Sequence, residues 1–270
     1  MGFIQENLIT LDLGLSKKYT MIQFTDVHVS IYHPSDHEDS INKAILQEKV
    51  WLKQRLDFAH KFNEKYDSKL LPSTECLSQL ITYSNHQNPD LVLLTGDIID
   101  YYSPANYEFM KQSFEKIHDP YLFMCGNHEY PQENFSELCQ GKCDINHVEF
   151  DDFLVVAMDN SRRKINAYQL EEFKKLLHTK KPIILAMHIP IMTSHNTDEF
   201  TKLDDYYSMK YQDCDEVTAE FIELVSSQKL VKAIFCGHIH GSLISYIAPN
   251  KPQYCCSSGL IGNVNKIIIT

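Results

Sequence analysis

No stretch of the 270 residues approaches the 18 or more apolar residues that a bilayer span requires, so no membrane partner is expected. The N-terminal MGFIQENLITLDLGL has neither a basic head nor an unbroken apolar core, and so does not read as a secretory leader. Glu6 stands where a myristoylation signal following Gly2 would need Ser or Thr. Positive charge is scarce, with 25 Lys and Arg against 36 Asp and Glu and a formal net charge of -11. Phosphate neutralisation dominates binding to long nucleic acid. With no Lys/Arg cluster to form a basic groove, long nucleic acid is not an expected partner, whereas bound cations would offset part of the acidity. Internal repeats, low-complexity tracts and linkers are also missing. A chain of this length, 43% hydrophobic, can bury roughly three-quarters of its unfolded surface, so residues 1–270 are expected to form one domain. The eight cysteines lack zinc-ribbon spacing, at Cys139 and Cys143 as at Cys255 and Cys256. Without an export signal they read as reduced, structural thiols, and the expected compartment is the cytoplasm.

What is present is an alternation of short apolar strands with amphipathic helices, the pattern of an α/β domain. Met21 to Thr25, Leu91 to Thr95, Tyr121 to Cys125, Ile183 to Met187 and Lys232 to Cys236 are continuous apolar runs, as in strands buried on both faces. Gln253 to Ser257 and Val264 to Thr270 add two more, and His147 to Phe150 with Phe153 to Met158 predicts a hairpin across Asp151-Asp152. Helical periodicity marks residues 41–66, 74–86, 104–117, 166–178 and 215–227. In the first of these, Ile45, Leu52, Leu56 and Ala59 form the expected core stripe. Ser103-Pro104 predicts an N-cap followed by proline in the first turn. Two polar stretches, Tyr32 to Ser40 and Met192 to Asp215, are long enough without periodicity to suggest a role at the substrate pocket, with Tyr206 and Tyr207 as candidates in the second.

The chemistry gathers where the strands stop. The five strong apolar runs lead into Asp26-Val27-His28, Gly96-Asp97 with Asp100, Gly126-Asn127-His128-Glu129, His188, and Gly237-His238-Ile239-His240. Ligand crevices of α/β sheets lie beyond the carboxyl ends of the strands, so these clusters can converge. Each alone is weak; a single strand-end aspartate is more often a cap, and a single histidine more often a hydrogen-bonded core residue. Of the 13 histidines, however, five fall directly after these strands. Asp26, His28, Asp97, Asn127, His188, His238 and His240 supply enough side chains for two cations if Asp97 bridges them. An extended segment would set His238 and His240 on one side about 6.6 Å apart, within reach of ions held roughly 3.5–4 Å from each other. Only two carboxylates sit in that set, so a site with two dications stays positive, as a phosphate substrate requires. Glycines at 96, 126 and 237 let the backbone turn and approach closely.

The order D-x-H, GD-x-x-D, GNHE, H, GH-x-H resembles the calcineurin-like metallophosphoesterase superfamily from Asp26 to His240, most of the chain. The resemblance implies a sandwich of two β-sheets flanked by helices. It implies that Asp26, His28, Asp97 and His240 hold one cation and Asp97, Asn127, His188 and His238 the other. His128 would act as general acid toward the leaving oxygen, oriented by Asp100. A metal-bridging hydroxide would attack the phosphate ester. Mixed N and O donors suit two divalent ions drawn from Mn, Fe, Zn or Co.

Departures from the better-known branches narrow the choice. Tyr101, rather than arginine, follows Asp100, unlike the protein Ser/Thr phosphatases; Asp100 stands where purple acid phosphatases have a metal-bound tyrosine. The superfamily's DNA-processing nucleases add a DNA-binding domain, and this chain is short and acidic. It is most similar to small stand-alone members such as class III cyclic-nucleotide phosphodiesterases. That implies a phosphoric ester hydrolase acting on a small nucleotide-like phosphodiester, with a phosphomonoesterase or nucleotide pyrophosphohydrolase as alternatives. A non-catalytic scaffold would be marked by ligand loss, and none is lost. A structural metal site would avoid Asn127, a weak ligand, in favour of Cys and His.

Overall fold

In the computed structural model, which describes residues 2–67, 70–201, 203 and 207–270, the continuous apolar runs become strands buried on both faces. The chain order is β1 (Gln5–Leu11), β2 (Tyr19–Phe24), α1 (Glu38–Phe62), α2 (Ser73–Gln87), β3 (Leu91–Leu94), α3 (Pro104–Phe114) and β4 (Tyr121–Phe123). It continues with β5 (Ile145–Glu149), β6 (Leu154–Met158), α4 (Ala167–Leu177), β7 (Ile183–Ala186), β8 (Ile191–Met192), α5 (Thr197–Phe200) and β9 (Met209–Lys210). Last come α6 (Glu216–Ser227), β10 (Val231–Cys236), β11 (Leu243–Ala248), β12 (Lys251–Cys255) and β13 (Asn263–Ile269). One sheet has five strands in the order β1-β13-β2-β3-β4, the other six in the order β11-β12-β10-β7-β6-β5; β8 and β9 form a short separate ladder. The predicted hairpin is the antiparallel β5–β6 pair. Among the described residues no helix is long and apolar enough to cross a membrane.

Side-chain alternation divides each strand between two cores. Met21, Leu91, Leu93 and Leu122 meet Val155, Ile184, Ala233 and Phe235 between the sheets. The alternate residues Ile22, Phe24, Val92 and Leu94 pack outward under Trp51, Leu77, Leu80, Met110 and Phe114 of α1, α2 and α3. On the far side, Val156, Leu185 and Ile234 pack under Leu170 and Phe173 of α4 and Phe221, Ile222 and Val225 of α6. The result is the expected two-sheet sandwich with helices on both outer faces. Phe235, fully buried and stacked on Tyr254 at 5.2 Å, sits in the inter-sheet layer. Phe235→Ala is expected to lower unfolding free energy by about 3–5 kcal/mol, read from urea denaturation midpoints; a loss below 1 kcal/mol would mean that the layer collapses around the void.

Helix ends follow local chemistry. Ser103 Oγ accepts from Asn106 N at 3.1 Å with Pro104 in the first turn, as the sequence indicates. Asn166 and Gln169 form a reciprocal capping box at α4.

Two expectations need correction. β1 and β11 were not expected as strands: β1 opens on Gln5-Glu6-Asn7, Ser245 interrupts the apolar residues of β11, and each lies at a sheet edge where Leu8, Ile244 and Tyr246 are exposed. The stripe assigned to α1 is also displaced. Ile45 and Leu52 are exposed, whereas Ala44, Trp51, Arg55 and Ala59 are buried. A guanidinium can replace an aliphatic there because Arg55 Nη1 donates to Leu71 O at 2.9 Å and Leu260 O at 3.1 Å, which offsets part of the cost of burying it.

Candidate metal centre

β2 and β3 of one sheet and β7 and β10 of the other end at the same edge of the sandwich, and backbone hydrogen bonds stitch the segments that follow. Asp26 N donates to Gly96 O at 3.0 Å, His28 N to Asp97 O at 3.0 Å and Gly237 N to His188 O at 2.9 Å. Asp26, His28, Asp97, His188, His238 and His240 thereby meet in one buried cluster. Ligand atoms of Asp26, His28 and His240 lie within 4.8 Å of one another, and so do those of Asp97, His188 and His238. Asn127 Oδ1 is 3.1 Å from His188 Nε2. Asp97 Oδ2 lies 3.1 Å from His188 Nε2 and 3.9 Å from His28 Nε2, between the two groups. The structure therefore brings together all seven side chains expected to ligate metal, and His128 and Asp100 adjoin them.

The backbone is bent sharply at this edge. Asp26, His28, Asp97, His238 and His240 all have φ between 46° and 70°, in the left-handed region that costs non-glycine residues on the order of 1–3 kcal/mol each. His238 and His240 are thus not in an extended segment as expected. Ile239 N donates to Gly237 O at 2.9 Å, closing a three-residue turn about His238 that aims the two rings into the cluster. Gly96 itself has φ +88°, and a Cβ at Gly126 would collide with the Asp97 carboxylate and with Asp97 N.

The donors fit divalent cations on several counts. Asp26 Oδ1 is fully buried, with His240 Nε2 at 3.2 Å and His28 Nε2 at 3.9 Å converging on it, so one carboxylate oxygen and two imidazole nitrogens face a common point. His28 Nε2 and His240 Nε2 face each other at 3.0 Å. Burial pushes the His28 pKa down to about 4, so its imidazole is neutral, the ligating form. Burial opposes the charge on Asp26, but His240 beside it holds its carboxyl below the usual range; His188 does the same for Asp97. His188 is buried, which lowers its pKa, yet Asp97 raises it to about 9. With Nδ1–H committed to Thr95 O at 2.7 Å, the Nε2 proton is the one a cation would replace.

Residues that the sequence reading passed over support this edge. Glu129, fully buried, gathers four backbone amides: Oε2 accepts from Asp97 N and Gly126 N at 2.8 Å, and Oε1 from Ile98 N at 2.7 Å and Ile99 N at 3.0 Å. It stood in the GNHE motif, but nothing local marked it as the organiser of another loop. Glu129→Gln turns a donor toward two of those donors. It is expected to lower cation affinity or turnover by roughly 10–100-fold, read from the Mn²⁺ dependence of ester hydrolysis; unchanged activation would deny Glu129 that role. Trp51 stacks on His28 at 3.6 Å and donates Nε1–H to Asp100 Oδ1 at 2.7 Å. Asn160 Oδ1 accepts from His188 N at 3.1 Å and Ile189 N at 3.0 Å.

Trp51, Gln54 and Phe58 of α1, with Tyr207, roof a cavity of about 70 Å³ that is floored by Asp97, Asn127, His128, His238 and His240. The expected pocket border is thus half right. Tyr207 borders the cavity and Tyr206 lies outside the described residues, but none of residues 32–40 is among those that line it. The described part of the 192–215 stretch carries β8, α5, β9 and a turn of 3-10 helix at Tyr211–Asp213.

A sequence profile of the calcineurin-like phosphoesterase family matches residues 19–242. A probable cyclic nucleotide phosphodiesterase of Synechococcus is 26% identical over 166 residues, which are 58% of this chain and 60% of that protein. A 3',5'-cyclic adenosine monophosphate phosphodiesterase of Escherichia coli is 23% identical over 88% of this chain and 75% of its own length. In fold, the chain is similar to a dimetal phosphatase from Danio rerio, with a TM-score of 0.61 at 10% identity over 90% of this chain and 88% of the other. With the family profile spanning most of the sequence and the sandwich shared, this chain belongs to the calcineurin-like phosphoesterases, metal-dependent hydrolases of phosphoric esters.

Proposed function

We propose that the chain hydrolyses small nucleotide-like phosphodiesters at a binuclear centre of two divalent cations. The observation that carries this reading is the meeting of seven N- and O-donor side chains, with Asp97 between the two groups. Asp26, His28, Asp97 and His240 would hold one cation, and Asp97, Asn127, His188 and His238 the other; Mn, Fe, Zn and Co all suit such donors. When bound, the cations supply Lewis acidity toward phosphoryl oxygens and activate the attacking water near neutral pH.

The protein's own part centres on His128. Its Nδ1 donates to Asp100 O at 2.6 Å and lies 3.1 Å from Asp100 Oδ1, which leaves Nε2 for the substrate. Burial lowers the His128 pKa, but Asp97 and then Asp100 outweigh it and raise the value to about 10. Both contacts of Nδ1 with Asp100 favour the protonated imidazole, which would deliver its proton to the departing alkoxide. Trp51 fixes Asp100, and Asp100 fixes His128. The diester preference rests on the two phosphodiesterase-named relatives. Turnover of cyclic AMP, bis-p-nitrophenyl phosphate and p-nitrophenyl phosphate with Mn²⁺ tests it. The two diesters should be preferred; faster cleavage of the monoester would replace this reading by a phosphomonoesterase.

A further inference from the structure

Cys125, Cys139 and Cys143 come from three segments: two residues beyond β4, the turns after residues 132–135, and the approach to β5. Their Sγ atoms all lie within 4.8 Å of one another, with Cys125 and Cys139 at 3.9 Å. Sulfurs bound to one metal at about 2.3 Å stand ~3.8–4.0 Å apart in tetrahedral or trigonal arrangements, so the closest pair is already at ligand spacing. Cys125 and Cys139 are 0% and 1% exposed, while Cys143 is half-buried and gives access from solvent. Cys139 and Cys143 alone have no metal-binding spacing in sequence; the fold supplies the third sulfur.

We propose that Cys125, Cys139 and Cys143 form a second metal site, distinct from the N/O centre, for one soft thiophilic cation, best monovalent copper. Three thiolates and no carboxylate select soft ions, whereas the imidazole and carboxylate donors of the main centre suit harder divalent ones. On binding, thiol protons pass to solvent, three S–metal bonds form and no electron is transferred. Cys125 directly precedes Gly126 and Asn127, so an ion here would anchor the start of the segment bearing Asn127, His128 and Glu129.

The test is an anaerobic titration of the Mn²⁺-loaded chain with monovalent copper buffered by bicinchoninate. One equivalent should be withdrawn from the chelator without release of Mn²⁺, equally by the parent and by Cys214→Ser. Cys139→Ser and Cys143→Ser should lose that equivalent. The half-buried Cys143 is the change least able to disturb packing, and matching circular dichroism would qualify its variant. No copper uptake by the parent, uptake at the expense of Mn²⁺, or undiminished uptake by both serine variants would overturn the site. X-ray absorption on the copper-loaded parent gives a readout free of mutagenesis: three sulfur neighbours are expected, and nitrogen or oxygen neighbours in their place would overturn it.

Discussion

Replacing Asp97 by alanine is expected to remove both cations together and to lower phosphoesterase turnover by on the order of 10³-fold or more, since metal charge supplies several kcal/mol of transition-state stabilisation. The reason is positional. Asp97 Oδ2 faces His188 Nε2 at 3.1 Å and His28 Nε2 at 3.9 Å, and Asp97 Oδ1 accepts from His128 N at 2.9 Å. Among the described residues, Asp97 alone combines contacts to both halves of the cluster with a hydrogen bond to the backbone of the residue that carries the acid. The measurement is elemental analysis after dialysis against Mn²⁺, paired with turnover of bis-p-nitrophenyl phosphate. Full metal content in the variant would show that Asp97 is not the shared ligand.

His128→Ala is expected to leave the cations in place and to reduce turnover by roughly 10²–10⁴-fold, the usual range for a general acid. The deficit should depend on the leaving group. p-Nitrophenolate departs without help and should show the smaller loss, whereas the sugar alkoxide released from cyclic AMP needs a proton and should show the larger. Equal losses on the two substrates would point to binding or positioning instead. Asp100→Asn keeps the backbone carbonyl that accepts from His128 Nδ1 but removes the carboxylate charge, so it should reproduce part of the same pattern.

Much of this architecture could be read in the sequence because burial on both faces leaves a plain mark: Leu91–Leu94 and Ile183–Ala186 are uninterrupted apolar runs and became central strands. The site was visible because its donors directly follow such runs. β1 was not, since it lies at a sheet edge beside β13 and its sequence, Gln-Glu-Asn-Leu-Ile-Thr-Leu, shows neither a continuous apolar run nor a polar-apolar alternation. The buried face of α1 was misplaced because hydropathy assigns Arg55 to solvent, whereas the structure gives it two carbonyl acceptors. The conformation of Gly237 to His240 was beyond pattern reading as well. A left-handed turn at histidine is held by tertiary contacts, here His238 N donating to Asp26 Oδ2 at 2.9 Å, rather than by propensity. The sulfur triad brings Cys125 to Cys139, 14 residues further on, and to Cys143 through folding alone.

The low ceiling formed by Trp51, Phe58 and Tyr207 sets what the interior can distinguish. Ligand pockets that enclose a whole metabolite hold about 300–1,000 Å³, against about 70 Å³ beneath these rings. On the proposed reading, a chamber of this size would take the cations and a phosphoryl head and would leave the nucleoside or alcohol outside. Reading the organic half of the ester is therefore left to the rim, where Gln54 offers an amide and Phe58 and Tyr207 offer aromatic faces. Changes of selectivity across esters should accumulate at those three positions, while the floor stays the same for every ester that enters.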